Sequence, residues 1–208
     1  MKIGVLFSGG KDSCLALHLA KEYGHTISCL ICLVPKNRDS FMFHTPTLEF
    51  VDYQAEALGI PLIKINTLGE KENELEDLAL GLKKAILLYK IRGVASGAVR
   101  SIYQAARFQK ICHQLQLACF NPLWLRNEEI HLKELIEKKF RCILTKVSAH
   151  GFNATWLGRT IDSHFLEEIL FLKEKFGISI VGEGGEYESF VLDAPLFKKR
   201  LVVEGFAQ

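Results

Sequence analysis

No apolar run in this sequence approaches the roughly 18 residues that a membrane-spanning helix needs. The first seven residues are too short for the apolar core of a secretory signal before Gly9, Gly10, Lys11 and Asp12 interrupt them. Charge of one sign is equally scarce. The 26 Lys and Arg against 24 Asp and Glu leave a formal net charge of +2, without the basic excess of a general nucleic-acid binder, although a local basic patch stays open. No internal repeat or low-complexity segment is present. The six cysteines are Cys14, Cys29, Cys32, Cys112, Cys119 and Cys142, and most sit among apolar neighbours, where a thiol behaves as a small hydrophobe. Cys29 and Cys32 stand three apart in an expected strand and so leave opposite faces. No second Cys-x-x-Cys supplies a four-thiolate site. What remains is the balance of a globular domain, 49% hydrophobic and 24% charged over 208 residues, large enough to fold without disulfide or metal staples. A reducing cytoplasm, away from membranes, is the expected compartment.

Hydrophobic periodicity predicts alternating strands and helices through the first half. Continuous apolar runs at 3–7, 26–34, 62–65, 93–96 and 118–120 have the pattern of strands buried on both faces of a parallel sheet. Helical spacing falls between them at 12–23, 48–58, 73–89 and 101–115, most plainly where Leu75, Leu78, Ala79, Leu82, Ala85 and Ile86 form one stripe. The acidic run at 70–77 opens that third helix, as its dipole favours, and is mostly solvated. Such alternation implies βαβ units and a doubly wound α/β sheet whose ligands bind beyond the carboxyl ends of the strands. Asn121-Pro122 is the expected seam between a domain at 1–121 and a smaller α/β domain at 122–208. The second has helices at 128–138 and 161–176, strands at 141–147 and 178–181, and short extended segments near 190–192 and 201–203.

Ser8-Gly9-Gly10-Lys11-Asp12-Ser13 lies between the first strand and the first helix. Adjacent glycines let the backbone turn and approach a ligand closely, and the helix that follows offers unpaired amides and the positive end of its dipole. Ser8, Ser13 and Lys11 add hydroxyl and ammonium donors, and Asp12 suits the first turn or a hydrated magnesium ion. Phosphate is the ligand this combination fits. The segment is neither G-x-x-x-x-G-K-[ST] nor G-x-G-x-x-G. The plainer reading, glycines for turn geometry alone, fits this strand-to-helix setting less well.

This segment resembles the phosphate loop of the N-type ATP pyrophosphatases, a Rossmann-like superfamily whose members transfer AMP to a substrate oxygen and release pyrophosphate. Further segments narrow the resemblance to its diphthine–ammonia ligase branch. They are Ser40-Phe41-Met42-Phe43-His44-Thr45-Pro46, Ser96-Gly97-Ala98, Trp156-Leu157-Gly158-Arg159, the spacing of Ser101, Tyr103, Gln104 and Arg107, and the run from Gly182 through Glu188 to Pro195. Phe152-Asn153-Ala154-Thr155 departs from relatives, which commonly carry acidic side chains there, and so does Ile102, where many carry Asp or Asn. The resemblance implies ATP with magnesium, translation elongation factor 2 carrying diphthine as protein substrate, and ammonium as nitrogen donor. It implies no direct nucleic-acid partner and leaves a homodimer open. It places Ser8 to Ser13, His44, Ser96 and Gly97 around the nucleotide, with Lys11 and Ser13 stabilising the departing pyrophosphate and Asp12 toward the metal. It places Tyr103, Arg107, Trp156, Arg159, Glu183, Glu186 and Glu188 toward the substrate.

The residues admit plainer readings alongside these. Gly182 to Glu188 reads either as a turn that crowds Glu183, Glu186 and Glu188 around a cation, or as a surface loop of solvated glutamates. For the trimethylammonium group of diphthine, the aromatic faces are Tyr187, Phe152, Trp124 and Trp156. Tyr103 and Arg107, four apart on one helical face, read as an anion fork or as surface packing. His44 reads as a nucleotide contact or as an ordinary hydrogen-bonded loop residue. Two rival functions are a tRNA-modifying thiolase or lysidine-type ligase, which would want cysteines near the loop or a basic extension, and a sensor that holds ATP without turnover.

Overall fold

A computed structural model describes residues 1–35, 48–67, 73–100 and 102–204. The first half alternates β1 (Lys2–Leu6), α1 (Lys11–Glu22), β2 (Thr26–Pro35), a 3-10 turn (Leu48–Phe50), α2 (Val51–Leu58), β3 (Leu62–Thr67), α3 (Asn73–Tyr89), β4 (Gly93–Ala95), α4 (Ile102–Gln114) and β5 (Ala118–Phe120). These strands form one five-stranded sheet in the order β3-β2-β1-β4-β5, with every pairing parallel. The chain leaves β1 toward β2 on one side and returns to β4 on the other, so the strand order reverses at β1. In a doubly wound sheet this is where a crevice opens beyond the strand ends.

Continuous apolar runs at the centre of the sheet are explained by helices on both faces. Val5, Leu30 and Cys32 pack with Leu15 and Leu19 of α1 and Val51 and Ala55 of α2. Cys29, Ile31 and Val94 pack with Leu78 and Leu82 of α3 and with Phe108 and Ile111 of α4. Cys29 and Cys32 thus lie on opposite faces, as their spacing requires, and all six cysteines are free.

The second half comprises α5 (Glu128–Glu137), β6 (Arg141–Val147), a 3-10 turn (Ala154–Trp156), α6 (Ser163–Phe176) and β7 (Tyr187–Asp193). β6 and β7 pair antiparallel. The Asn127 side chain caps α5, accepting from the amides of Glu129 and Ile130 at 3.0 and 3.1 Å. The Asp162 side chain caps α6 through the Phe165 amide, so that helix begins at Ser163 rather than at 161. The core on the α1 face continues without a break through Leu123, Leu135, Phe165, Tyr187 and Val191.

Two expected extended segments are not strands. The 178–181 stretch is loop and turn, although Ile180 and Val181 are buried. Its carbonyls are taken by side chains instead: Ile180 O by the Tyr187 hydroxyl at 2.8 Å and Val181 O by Lys11 Nζ at 2.5 Å. Around 201–203 no strand forms, although the Leu201 amide donates to Leu192 O.

Candidate active site

The 8–13 segment turns where β1 ends and α1 begins, and contacts from three directions fix it. Gly9 holds φ +79°, a left-handed conformation that favours glycine, and an added Cβ would stand 2.2 Å from Gln54 Oε1. Gln54 of α2 is fully buried and donates through Nε2 to Gly9 O at 2.9 Å and to Val191 O at 2.7 Å. The Val191 amide of β7 also donates to Gly9 O, at 3.0 Å. From the β4 side, Gly97 lies so close that a Cβ would be 2.7 Å from the Asp12 carbonyl carbon and 2.8 Å from the Ser13 amide. The hydroxyl of Ser96 holds that flanking loop by donating to Asn121 Oδ1 at 2.6 Å.

Within the loop, Ser13 Oγ donates to Gly10 O at 3.0 Å and lies 3.3 Å from the Ser8 amide. α1 starts at Gly10 without a capping side chain. Its first amide, that of Lys11, donates to the neutral Ser189 hydroxyl at 3.2 Å. Among the described residues no carboxylate of the chain accepts from the amides of residues 8–13. A helix end of this kind, with the Ser8 and Ser13 hydroxyls beside it, suits an anionic ligand such as a phosphate chain.

Lys11 does not project into that mouth. Its side chain is only 4% exposed. The ammonium donates to Val181 O and to Asp12 Oδ2, the latter at 2.8 Å, and lies 5.3 Å from the centre of the Tyr187 ring. The Asp12 carboxylate remains 30% exposed, with His131 Nε2 of α5 3.1 Å from its other oxygen. Burial alone would raise the Asp12 carboxyl. The Lys11 charge and the His131 imidazole outweigh it, and hold the group at about 2. Sequence reasoning missed His131, Gln54 and Ser189. His131 gives only the weak signal of a polar residue that shares a buried helix face with Glu128, Leu132 and Leu135.

The glutamates of the 182–188 turn separate rather than crowd around a cation. Glu186 accepts from the amides of Ser179 at 2.9 Å and Gly184 at 2.8 Å, so its carboxylate closes its own loop. Glu188 lies on β7 with Lys146 3.7 Å away, and burial pushes its carboxyl up despite that lysine. Glu183 is exposed. Burial and the nearby Asp12 charge nevertheless raise its carboxyl.

Two of the expected aromatic faces are taken by the chain's own cations. Tyr187 is buried with its ring facing Lys11. Trp156 is buried with the Arg159 guanidinium 4.3 Å from its ring centre. Arg159 also makes a two-point bridge to Glu168, at 2.9 and 2.8 Å. Phe152 and Trp124 are half-buried, as is Arg107 on α4. His44, and with it the whole 40–46 segment, lies outside the described residues, as do Ser101 and the side chain of Tyr103.

Cys14 and Cys142, the thiols near Asp12, are buried, and burial raises both, Cys142 to about 12. They are poorly suited to thiolate chemistry at neutral pH. Among the described residues no group of three or more His, Cys, Asp or Glu is placed to hold a metal ion, and no helix is long and apolar enough to cross a membrane.

A doubly wound sheet whose reversal point carries a serine- and glycine-built turn is an α/β protein with a crevice suited to a phosphate-bearing ligand. The family model described as the diphthamide synthase N-terminal domain matches residues 1–119, and that of the C-terminal domain matches residues 127–208. The chain belongs to the diphthamide synthase family. It is 36% identical to the diphthine–ammonia ligase of Rattus norvegicus and 35% identical to that of Homo sapiens, covering 98% of this chain and 83% of each relative. The Danio rerio diphthine–ammonia ligase is 37% identical, with 98% of this chain and 87% of the relative covered.

Proposed function

We propose that this chain is an ATP-dependent diphthine–ammonia ligase acting on diphthine-bearing elongation factor 2. In the first step a carboxylate oxygen of diphthine attacks the α-phosphorus of ATP. The bond from that phosphorus to the bridging oxygen of pyrophosphate breaks, leaving an acyl-adenylate. In the second step the lone pair of ammonia forms a bond to the acyl carbon, AMP leaves with its bonding electrons, and the surplus proton on nitrogen passes to solvent. No nucleophilic side chain is required, so positioning and electrostatics carry the reaction.

The first-turn amides of α1 and the hydroxyls of Ser8 and Ser13 meet the charge that develops on the departing pyrophosphate. Lys11 adds its positive charge from beneath the loop. Magnesium, brought in with the triphosphate and sharing the exposed edge of Asp12, would supply further charge neutralisation. His44, Ser96 and Gly97 complete the nucleotide side in this reading. In this reading residues 122–208, with Arg107 of α4, take the protein substrate, Tyr103 is assigned to it by the family pattern alone, and Phe152 and Trp124 offer the aromatic surface for its trimethylammonium group.

What supports this reading most is the junction itself. The loop at the β1–α1 turn is bonded directly to β7, through the Lys11 amide to the Ser189 hydroxyl and the Val191 amide to Gly9 O. A nucleotide on the loop and a substrate on the second half would therefore meet. The test supplies ATP, ammonium and diphthine-bearing elongation factor 2 to the protein, with mass spectrometry of the modified histidine. Conversion of acid to amide, with AMP and pyrophosphate appearing only when all three are present, is the expected result. AMP release that ignores the acceptor would defeat it.

A further inference from the structure

The feature that the ligase reading leaves unused is His131. Its side chain is wholly buried on α5, a helix of the second half, beside the buried Leu132 and Leu135. An imidazole is an expensive occupant of such a position, because its polar nitrogens lose water. Nδ1 has no hydrogen-bond partner among the described residues. Nε2 faces Asp12 Oδ1 across 3.1 Å, an ion-pair separation in which the aligned hydrogen bond is not yet formed. Core packing alone would be served as well by leucine.

The geometry around Asp12 shows what the imidazole can do there. Oδ2 is held by Lys11 Nζ at 2.8 Å, and Oδ1, which has no hydrogen-bond partner among the described residues, faces His131 Nε2 at 3.1 Å. The backbone behind Asp12 is pressed by Gly97. Of the three side chains only Asp12, at 30%, reaches the open side, against 4% for Lys11 and 0% for His131. A ligand in the mouth of the loop can therefore touch the carboxylate but not the imidazole.

We infer that His131 is a positioning residue that reaches from the second half to fix the Asp12 carboxylate in the orientation the nucleotide site uses. It touches no substrate and acts only through Asp12. The inference rests on the ligase reading for the identity of the nucleotide, and adds a residue that this reading does not need.

The test compares His131→Leu, His131→Gln and His131→Asn in the full chain. The amide nitrogen of glutamine falls near the site of Nε2, and that of asparagine near Nδ1. Each variant is assayed for its melting temperature without ligand, for ATP affinity by calorimetry with magnesium, and for kcat of AMP release with acceptor and ammonium. Loss of an outer-shell partner of this kind costs roughly 10- to 100-fold in activity or metal affinity. The expected result is a loss of that size in kcat or ATP affinity for Leu and Asn while both stay folded at the assay temperature by their apo melting temperatures, with Gln restoring most of it. Wild-type values in a folded Leu variant would overturn the inference, and so would equal losses in Gln and Asn. If the Leu variant does not fold, the Gln and Asn pair still decides. If the wild type binds ATP but amidates nothing, the ligase reading fails while the ATP-affinity series still judges His131.

Discussion

The two glycine-rich turns of this chain look alike in sequence and behave as opposites. The 8–13 turn carries Gly9 at φ +79°, and the 182–188 turn carries Gly182 at +76° and Gly185 at +82°. In the later turn Glu186 fills the concavity with the chain's own carboxylate, satisfying the Ser179 and Gly184 amides. In the earlier turn the contacts come from neutral hydroxyls and from an amide, Gln54, that grips the loop from behind. One turn is closed on itself by a carboxylate, and the other is braced from outside by neutral groups. Glycine content alone does not distinguish an anion cradle from a finished loop. What separates them is whether the chain supplies the anion itself.

The largest effect that sharpens this contrast is expected from Gly9→Ala. A left-handed alanine costs roughly 1–2 kcal/mol, and the new methyl would also collide with Gln54. We expect about 3 kcal/mol less unfolding free energy in urea titration, together with lost ATP affinity. The equivalent change at Gly185, where a Cβ would meet nothing within 4 Å, should cost only the conformational part.

Next is the pH response of Asp12. Its carboxyl is held at about 2 against an ordinary value of 3.8, so its contribution is complete above pH ~4 and disappears as the pH falls toward 2. That amounts to roughly 2 kcal/mol. Urea titrations at pH 4 and pH 2 should show this loss in the wild type and not in Asp12→Asn. Glu183 and Glu188 shift the other way, chiefly through burial. They oppose folding near neutral pH, so Glu188→Gln should not reduce stability there.

Glu186→Ala comes third. It leaves two loop amides to water, at about 1 kcal/mol in thermal melts, with ATP affinity unchanged. A loss of ATP binding equal to that of protein-substrate turnover would break the contrast between the turns. The smallest effect is expected from Arg159→Ala, which removes the Glu168 bridge and the Trp156 stacking at a part-exposed site, for about 1 kcal/mol or less. Abolished amidation at an unchanged melting temperature would instead restore Arg159 to the substrate site.

The parallel sheet was legible because each strand and helix of the first half carries its own period. The strand-to-helix turn at 8–13 was legible because its residues are contiguous. The 178–181 run misled for a physical reason: isoleucine and valine there serve burial, while their carbonyls receive Lys11 and Tyr187 instead of a neighbouring strand. The crowding expected of Glu183, Glu186 and Glu188 failed because the turn spends Glu186 on its own backbone and β7 carries Glu188 toward Lys146. Gln54 and Ser189 left no local signature and His131 only a weak one, since each meets the loop only through the tertiary fold. Lys11 reads as a donor to phosphate, yet its side chain turns instead to Val181, 170 positions away.

Gln54 has a consequence for dissection of the molecule. One buried amide nitrogen holds Gly9 and Val191 at once. A fragment truncated after residue 121 would keep every letter of the nucleotide motif while losing Ser189, Val181, Val191 and His131. Such a fragment should be treated as a motif without its mould, and its failure to bind ATP would say nothing against the intact chain.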